Sequence, residues 1–479
     1  MTTEAVAAML DSRRAFAVAP AGCGKTELLG RIVADQRSGR QLVLTHTHAG
    51  VAAIRSRLTA QRVPQEKFHL ETIAGWCLRY CAAYSGISGI RADVEQHEIN
   101  WKLLAAEAYP GTERVCRAAL GKRVICESYD GVLVDEYQDC SALQHAVVRA
   151  VGECIPYRAV GDPLQTIFEF RDTPCVGWDT ISSDFDMQAS LSEPWRWRRP
   201  GRNRKLGEWL VEARRQLEMT KRLDIAEDAP VTWISHSNGS DVAAWAGACT
   251  KSRAPQESVV AILKWATKCK PLAQRLGGRW PMVERFDDPD LLKLGMKLAD
   301  ADGPTVVAEF VEFLAARMTG IGTALRPMVK AIRAGRSTSR FSKDREHAEW
   351  LNALSKEPTP VNALSWLEGV LAHRDDRWLY RRECVFQLRA ALRECIGSNF
   401  ATLPDAVAAA RTRARHRGRQ TNSCTIGTPL LVKGLEFDHA VLLWEPDHLS
   451  VEGLYVALTR ASKSLTIVSR SRTLIPEET

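Results

Sequence analysis

Two short runs in this chain carry the residue types that chemistry on phosphate requires. The first is Ala19-Pro20-Ala21-Gly22-Cys23-Gly24-Lys25-Thr26. Gly22 and Gly24 let backbone N–H groups converge on phosphate oxygens, and a helix opening at Lys25 adds partial positive charge. Lys25 can reach β- and γ-phosphates, and the Thr26 hydroxyl can ligate Mg2+. Ala19 stands where the G-x-x-x-x-G-K-T pattern has its first glycine. The second run is Asp135-Glu136, which closes the apolar stretch Gly131-Val132-Leu133-Val134. Asp135 is placed to hold Mg2+ through water, and Glu136 to orient and deprotonate an attacking water. In Val160-Gly161-Asp162-Pro163-Leu164-Gln165, Gln165 could contact a γ-phosphate or that water.

The elements that position these residues follow from the apolar patterning. Ala15 to Ala19 reads as a buried strand, followed by the glycine turn and a helix at Lys25-Thr26-Glu27-Leu28-Leu29. Gln41 to Thr45 is a second strand, and Gly131 to Val134 and Tyr157 to Gly161 are others. Continuous apolar strands separated by helical patterns indicate an α/β fold with a parallel sheet, which carries its ligands at the C-terminal strand ends. His46 and His48, two residues apart with no third ligand nearby, make a poor metal site and suit a polar strand end facing a ligand. Thr72 to Tyr80 opens an amphipathic helix.

At 479 residues the chain is too long for one core, so several domains are expected. No apolar run approaches the roughly 20 residues that span a bilayer, and Met1-Thr2-Thr3-Glu4 lacks a basic leader region. A cytoplasmic protein is therefore expected. The 13 cysteines form no C-x-x-C pair, which favours reduced thiols over zinc or an iron–sulfur cluster. The net charge of +8 is modest, but arginines crowd at 196, 198, 199, 202 and 204 and again at 411, 413, 415, 417 and 419. Such clusters suit a polyanion, or simply solvated helix faces.

Taken together, seven stretches resemble the motifs of the UvrD/Rep branch of superfamily 1 DNA helicases. They are Ala21 to Thr26, Leu44 to Thr47, Val134 to Asp139, Val160 to Arg171, Leu191-Ser192-Glu193-Pro194-Trp195-Arg196, Thr428 with Lys433-Gly434-Leu435-Glu436-Phe437, and Leu454 to Ala461. The resemblance implies two RecA-like P-loop domains with parallel sheets, ATP and Mg2+ as ligands, and hydrolysis in the cleft between the domains. It implies that Gly22, Gly24, Lys25 and Thr26 hold phosphates and metal, that Asp135 is the metal carboxylate and that Glu136 is the catalytic base. Gln165 would sense the γ-phosphate, and Arg196 and Arg460 would act as arginine fingers from the second domain. Trp195 would stack on adenine, and Glu436 would bind the ribose. His46, Trp76, Phe170 and Arg171 match positions that meet single-stranded DNA in the family. The family's N-terminal adenine-reading Gln has no counterpart, Leu430 and Pro194 replace a His and an Asn, and Ala74-Gly75 replaces a His-Ser pair.

The motifs imply a first RecA-like domain over residues 1–190 with a short helical insert at 87–127. The second would comprise 191–278 and 419–479, interrupted at 279–418 by a mainly helical insert suited to gripping duplex DNA or a partner protein. With 19 residues after Arg460, no appended nuclease domain is expected. The size and trimmed inserts also resemble the helicase-like subunits of two-gene anti-phage systems such as Gabija, whose nuclease is a separate protein. Three readings follow: a translocase and helicase moving 3′ to 5′ from single-stranded DNA or a single-strand/duplex junction, a DNA-sensing ATPase that regulates a partner nuclease, and a structural subunit that binds nucleotide. None involves a membrane.

Overall fold

The computed structural model describes residues 3–90, 104–167, 174–236, 242–250, 254, 256–284, 289–299, 301–341, 344–372, 378–397, 399–400, 402–417, 423–445 and 449–477. Six strands form the first sheet: β1 (Arg14–Val18), β2 (Gln41–Thr45), β3 (Phe68–Thr72), β4 (Gly131–Val134), β5 (Tyr157–Gly161) and β6 (Met187–Ser190). Their order is β3-β2-β4-β5-β1-β6, and every pairing is parallel. All six C-terminal ends therefore lie along one edge, which brings the turns after Val18, Thr45, Val134 and Gly161 together although they are far apart in sequence.

The central strands are continuous apolar runs because both faces are covered. On one side Leu28, Leu29, Ile32 and Val33 pack with Val43, Leu133 and Val160, and on the other Phe16 joins Leu44, Val132, Val134 and Ala159. β3 and β6 were not legible as strands. Both are edge strands of mixed composition, Phe-His-Leu-Glu-Thr and Met-Gln-Ala-Ser, and lack that apolar signature. The helix read from Thr72 begins at Ile73, with the Thr72 side chain accepting from the Gly75 N–H.

The second sheet has the order β10-β9-β11-β12-β8 and is also parallel. Its strands are β8 (Thr232–Ser235), β9 (Val259–Ile262), β10 (Cys424–Gly427), β11 (Phe437–Leu443) and β12 (Ala461–Ser469). A small antiparallel pair, β7 (Leu223–Asp224) with β13 (Thr473–Leu474), stands beside it. The molecule is thus a mixed α/β protein with two parallel sheets, consistent with two RecA-like domains.

β9 is followed by the helix Ala266–Arg275, and before β10 seven more helices, among the described residues, run from Pro289–Ala299 to Leu403–Arg417. They share their own core, built around Phe310, Leu314, Leu351, Trp366 and Leu388. The last of them lies against the helix His48–Ala60 of the first domain. Near the other insert, helices run over Tyr109–Arg117 and Ala119–Ser128. No helix among the described residues is long and apolar enough to cross a membrane.

Candidate active site between the two sheets

The phosphate-loop residues leave β1 in a tight turn. The Cys23 N–H donates to the Pro20 carbonyl at 3.0 Å, and the Leu28 N–H to Gly24 at 2.9 Å, which starts the helix Lys25–Ala34. Gly22 and Gly24 have φ of 72° and 96°, a region that favours glycine. A Cβ at Gly22 would also lie 2.5 Å from the Trp197 ring, so two constraints require glycine there. Lys25 and Thr26 are the first two residues of the helix, and the Lys25 Nζ donates to Glu136 Oε2 at 3.0 Å.

The acidic pair sits at the end of β4, where the Asp135 N–H donates to Leu44 at 2.9 Å. Asp135 is buried, and its Oδ1 has no hydrogen-bond partner. A buried carboxylate oxygen without a donor is a costly arrangement that a cation would relieve. Burial, and then the charge of Glu136, push the Asp135 carboxyl above the usual range. Burial also opposes the charge on Glu136, but Lys25 and Lys433 outweigh it and hold that carboxyl low. Glu136 has φ of 52°, strain of roughly 1–3 kcal/mol for a residue other than glycine. Its Oε2 also accepts from Gln138 Nε2 at 2.6 Å, and Gln138 Oε1 accepts from the Asp162 N–H at 2.9 Å.

The second domain closes over this loop. The Arg196 N–H donates to the Gly22 carbonyl at 3.1 Å, and its guanidinium donates to Thr459 O at 2.7 Å and meets Glu436 Oε2 at 3.0 Å. Trp197 anchors the segment, buried and donating through Nε1 to Ala461 O at 2.8 Å. The Tyr455 hydroxyl accepts from the Ala21 N–H at 3.2 Å. Arg460 is 1% exposed and donates to Val456 O, Leu435 O and Thr459 Oγ1 at 2.8–3.0 Å, which uses three of the five guanidinium N–H groups. Burial, then the nearby charge of Arg196, push Arg460 down to about 9, against an opposing pull from Glu136. Lys25 and Glu136 thus pair at the loop, Arg196 bonds to it through its main chain, and Arg196 and Arg460 both contact Thr459; two neighbouring guanidinium groups fit a polyanionic ligand.

Two further ion pairs bind the domains and were not read from the sequence as such. Lys433 Nζ donates to both Asp139 oxygens, at 2.7 and 2.5 Å, and to the Gln165 carbonyl at 2.5 Å. Arg214 Nη1 donates to Asp162 Oδ1 at 2.7 Å. Lys433 and Asp139 stand inside recognisable motif runs, whereas Arg214 lies in an Arg- and Glu-rich helix, Arg204–Thr220, that gives no signal.

The remaining sequence-derived residues divide. Trp195 is 36% exposed, with the Arg198 guanidinium 5.9 Å from its ring centre. Glu436 is occupied by Arg196 and, at 3.6 Å, Arg202. His46 is half-buried under the acidic turn, its Nε2 3.6 Å from Cys140 Sγ. Trp76 requires a correction. It is 0% exposed and packs on Tyr80 with ring centres 4.2 Å apart, so it presents no face to a base. Phe170 and Arg171 lie outside the described residues. In the arginine clusters, Arg411 is buried, and Arg413, Arg198, Arg202 and Arg204 are paired with Glu394, Glu193, Asp438 and Glu208.

Residues 2–171 match a protein-family model described as an AAA domain. No curated protein matches the chain. Among solved structures, the chain is similar to the Pif1 helicase from Candida albicans at 12% identity and a TM-score of 0.32, over 57% of this chain and 53% of that one. It is similar to the PRRSV helicase at 12% identity and a TM-score of 0.35, over 99% of this chain and 57% of that one. It is also similar to the arterivirus nonstructural protein 10 helicase in complex with DNA, at 10% identity and a TM-score of 0.35, over 97% and 62% of the two chains. The chain spans 53–62% of the length of these proteins.

Proposed function

We propose that the chain is an ATP-hydrolysing nucleic-acid motor of the superfamily 1 helicase type, working 3′ to 5′ on single-stranded DNA in the manner of its UvrD/Rep-like motifs. The observation that carries this reading is the Lys25–Glu136 pair at the phosphate loop, with Arg196 of the second domain bonded to Gly22 of that loop between two parallel sheets. The AAA-domain match over residues 2–171 supports the nucleotide part.

In this mechanism the loop N–H groups and Lys25 hold the β- and γ-phosphates. Thr26 and Asp135 would hold Mg2+, which would neutralise phosphate charge. Glu136 takes the proton of the attacking water once Lys25 has turned from it to the phosphates. Gln165 faces the γ-phosphate, and Arg196 and Arg460 neutralise the charge that grows on the transferred phosphoryl group. Because those arginines belong to the second domain, hydrolysis is coupled to cleft closure. Trp195 stacks on the base, and Glu436 exchanges Arg196 for the ribose.

A second reading, a DNA-sensing ATPase that governs a separate nuclease in anti-phage defence, gains support from the burial of Trp76, which leaves fewer aromatic platforms for a strand. ATP turnover with and without single-stranded DNA, on wild type, Lys25→Ala and Glu136→Gln, tests the site. Unchanged turnover in both variants would refute it. Strand displacement from 3′- and 5′-tailed duplexes separates the motor from the sensor.

A further inference from the structure

Asp162 follows β5, is 0% exposed, and uses its two carboxylate oxygens for different tasks. Oδ2 accepts from Gln165 Nε2 at 2.7 Å, and Oδ1 accepts from Arg214 Nη1 at 2.7 Å and from the Leu164 N–H at 3.2 Å. Arg214 is only 8% exposed. It continues to Glu218 at 2.9 Å and lies 5.1 Å from the Tyr455 ring centre. Arg214 and Tyr455 belong to the second domain, whereas Asp162 and Gln165 belong to the first. Gln165 is itself held across that boundary, because Lys433 donates to its main-chain carbonyl at 2.5 Å.

This arrangement fixes more than position. A carboxylate only accepts, so the group that meets Asp162 must be the amide NH2 of Gln165. The amide oxygen, Oε1, is then the end left to accept from a water or hydroxyl in the cleft, and the amide cannot flip without losing its bond to Asp162. Asp162 is in turn held on the far side by a guanidinium that arrives with the other domain. Buried ion pairs add little stability for their cost in desolvation, which makes a purely structural role a poor reason for this one.

We infer that Arg214 is a positioning residue for the reaction: through Asp162 it sets the orientation of the Gln165 amide, so that closure of the second domain onto the first aims the amide oxygen at the attacking water. The inference rests on the ATP-hydrolysis reading above. It adds a residue outside the seven motif runs, and it makes Gln165 a receiver of domain closure.

The test is a charge-neutral pair, Asp162→Asn with Arg214→Gln, which leaves no unpaired charge in the interior, made with and without Gln165→Ala. Far-UV circular dichroism and thermal melting show that the variants fold, and an Arg214→Lys variant preserves the charge if the pair does not fold. Misplacing a reacting group costs on the order of tenfold to a hundredfold in rate. A loss of kcat in that range is expected, with KM for ATP and affinity for a fluorescent ADP analogue within about twofold, and with no further loss when Gln165→Ala is added. Wild-type kcat in a folded variant, or a Gln165→Ala loss that multiplies in full, would overturn the relay. Lys25→Ala and Glu136→Gln run beside them as controls. Full turnover in those controls would overturn the hydrolysis site and the relay with it, whereas inactive controls beside a fully active pair would overturn the relay alone.

Discussion

The main-chain N–H of Arg196 donates to the carbonyl of Gly22 at 3.1 Å, a hydrogen bond that runs from the second domain directly into the phosphate loop. The loop's shape and the approach of the second domain are therefore not independent variables. Opening the cleft must break this bond together with Lys433–Asp139 and Arg214–Asp162, both nearly free of solvent. Three buried polar contacts across one boundary give the closed arrangement a defined geometry.

Removing one partner of a buried pair exposes its cost most clearly. Lys433→Ala leaves Asp139, 4% exposed, without its ammonium, which typically costs about 3–5 kcal/mol. A lower apparent Tm is expected, partly recovered when Asp139→Asn is added. Equal melting of wild type and Lys433→Ala would show that the pair is not formed in solution.

His46 should make the protein acid-sensitive. Burial, then the charge of Lys433, push its imidazole down to about 4, against opposing effects of Glu136. An unfolded histidine titrates near 6.5, so between those values the unfolded chain binds a proton that the folded one refuses. The sign follows from linkage: stability is unaffected above the unfolded value and falls as pH drops from about 6.5 toward 4, by no more than about 3 kcal/mol. Thermal melts of wild type and His46→Gln from pH 7 to 5 should diverge, with the variant the flatter. Parallel curves would contradict the assignment.

Trp76 separates core packing from strand binding. Truncating a fully buried aromatic costs about 3–5 kcal/mol, so Trp76→Ala should melt well below wild type. Trp76→Phe, which keeps a ring in the core, should retain affinity for a single-stranded oligonucleotide by fluorescence anisotropy within about twofold. A base-stacking residue would lose roughly 1–3 kcal/mol of binding on truncation. If Trp76→Phe weakens DNA binding while leaving the melt unchanged, the ring faces the strand after all.

The sequence made the central strands of the first sheet legible, because strands covered on both faces are written as unbroken apolar runs such as Val132-Leu133-Val134. The edge strands β3 and β6 carry polar residues and gave no such signal. The chemistry was legible wherever short spacing reflects a local cause: glycines at positive φ, a lysine opening a helix, a carboxylate closing a strand. Trp76 misled because a motif position says nothing about which way a ring points, and its helix Ile73–Ala83 turns that ring into the core. Arg214 was invisible for the opposite reason, since its partner is 52 residues away and its neighbours resemble any solvated helix.

The central claim is that the second domain supplies positive charge to a reaction at Lys25. The most direct measurement is DNA-stimulated ATP turnover by Arg196→Ala, taken beside its affinity for nucleotide. Arginine fingers contribute on the order of 10³–10⁵ to kcat, so turnover should fall by at least about a thousandfold while nucleotide affinity changes far less. Turnover equal to wild type in a folded Arg196→Ala protein would contradict the account.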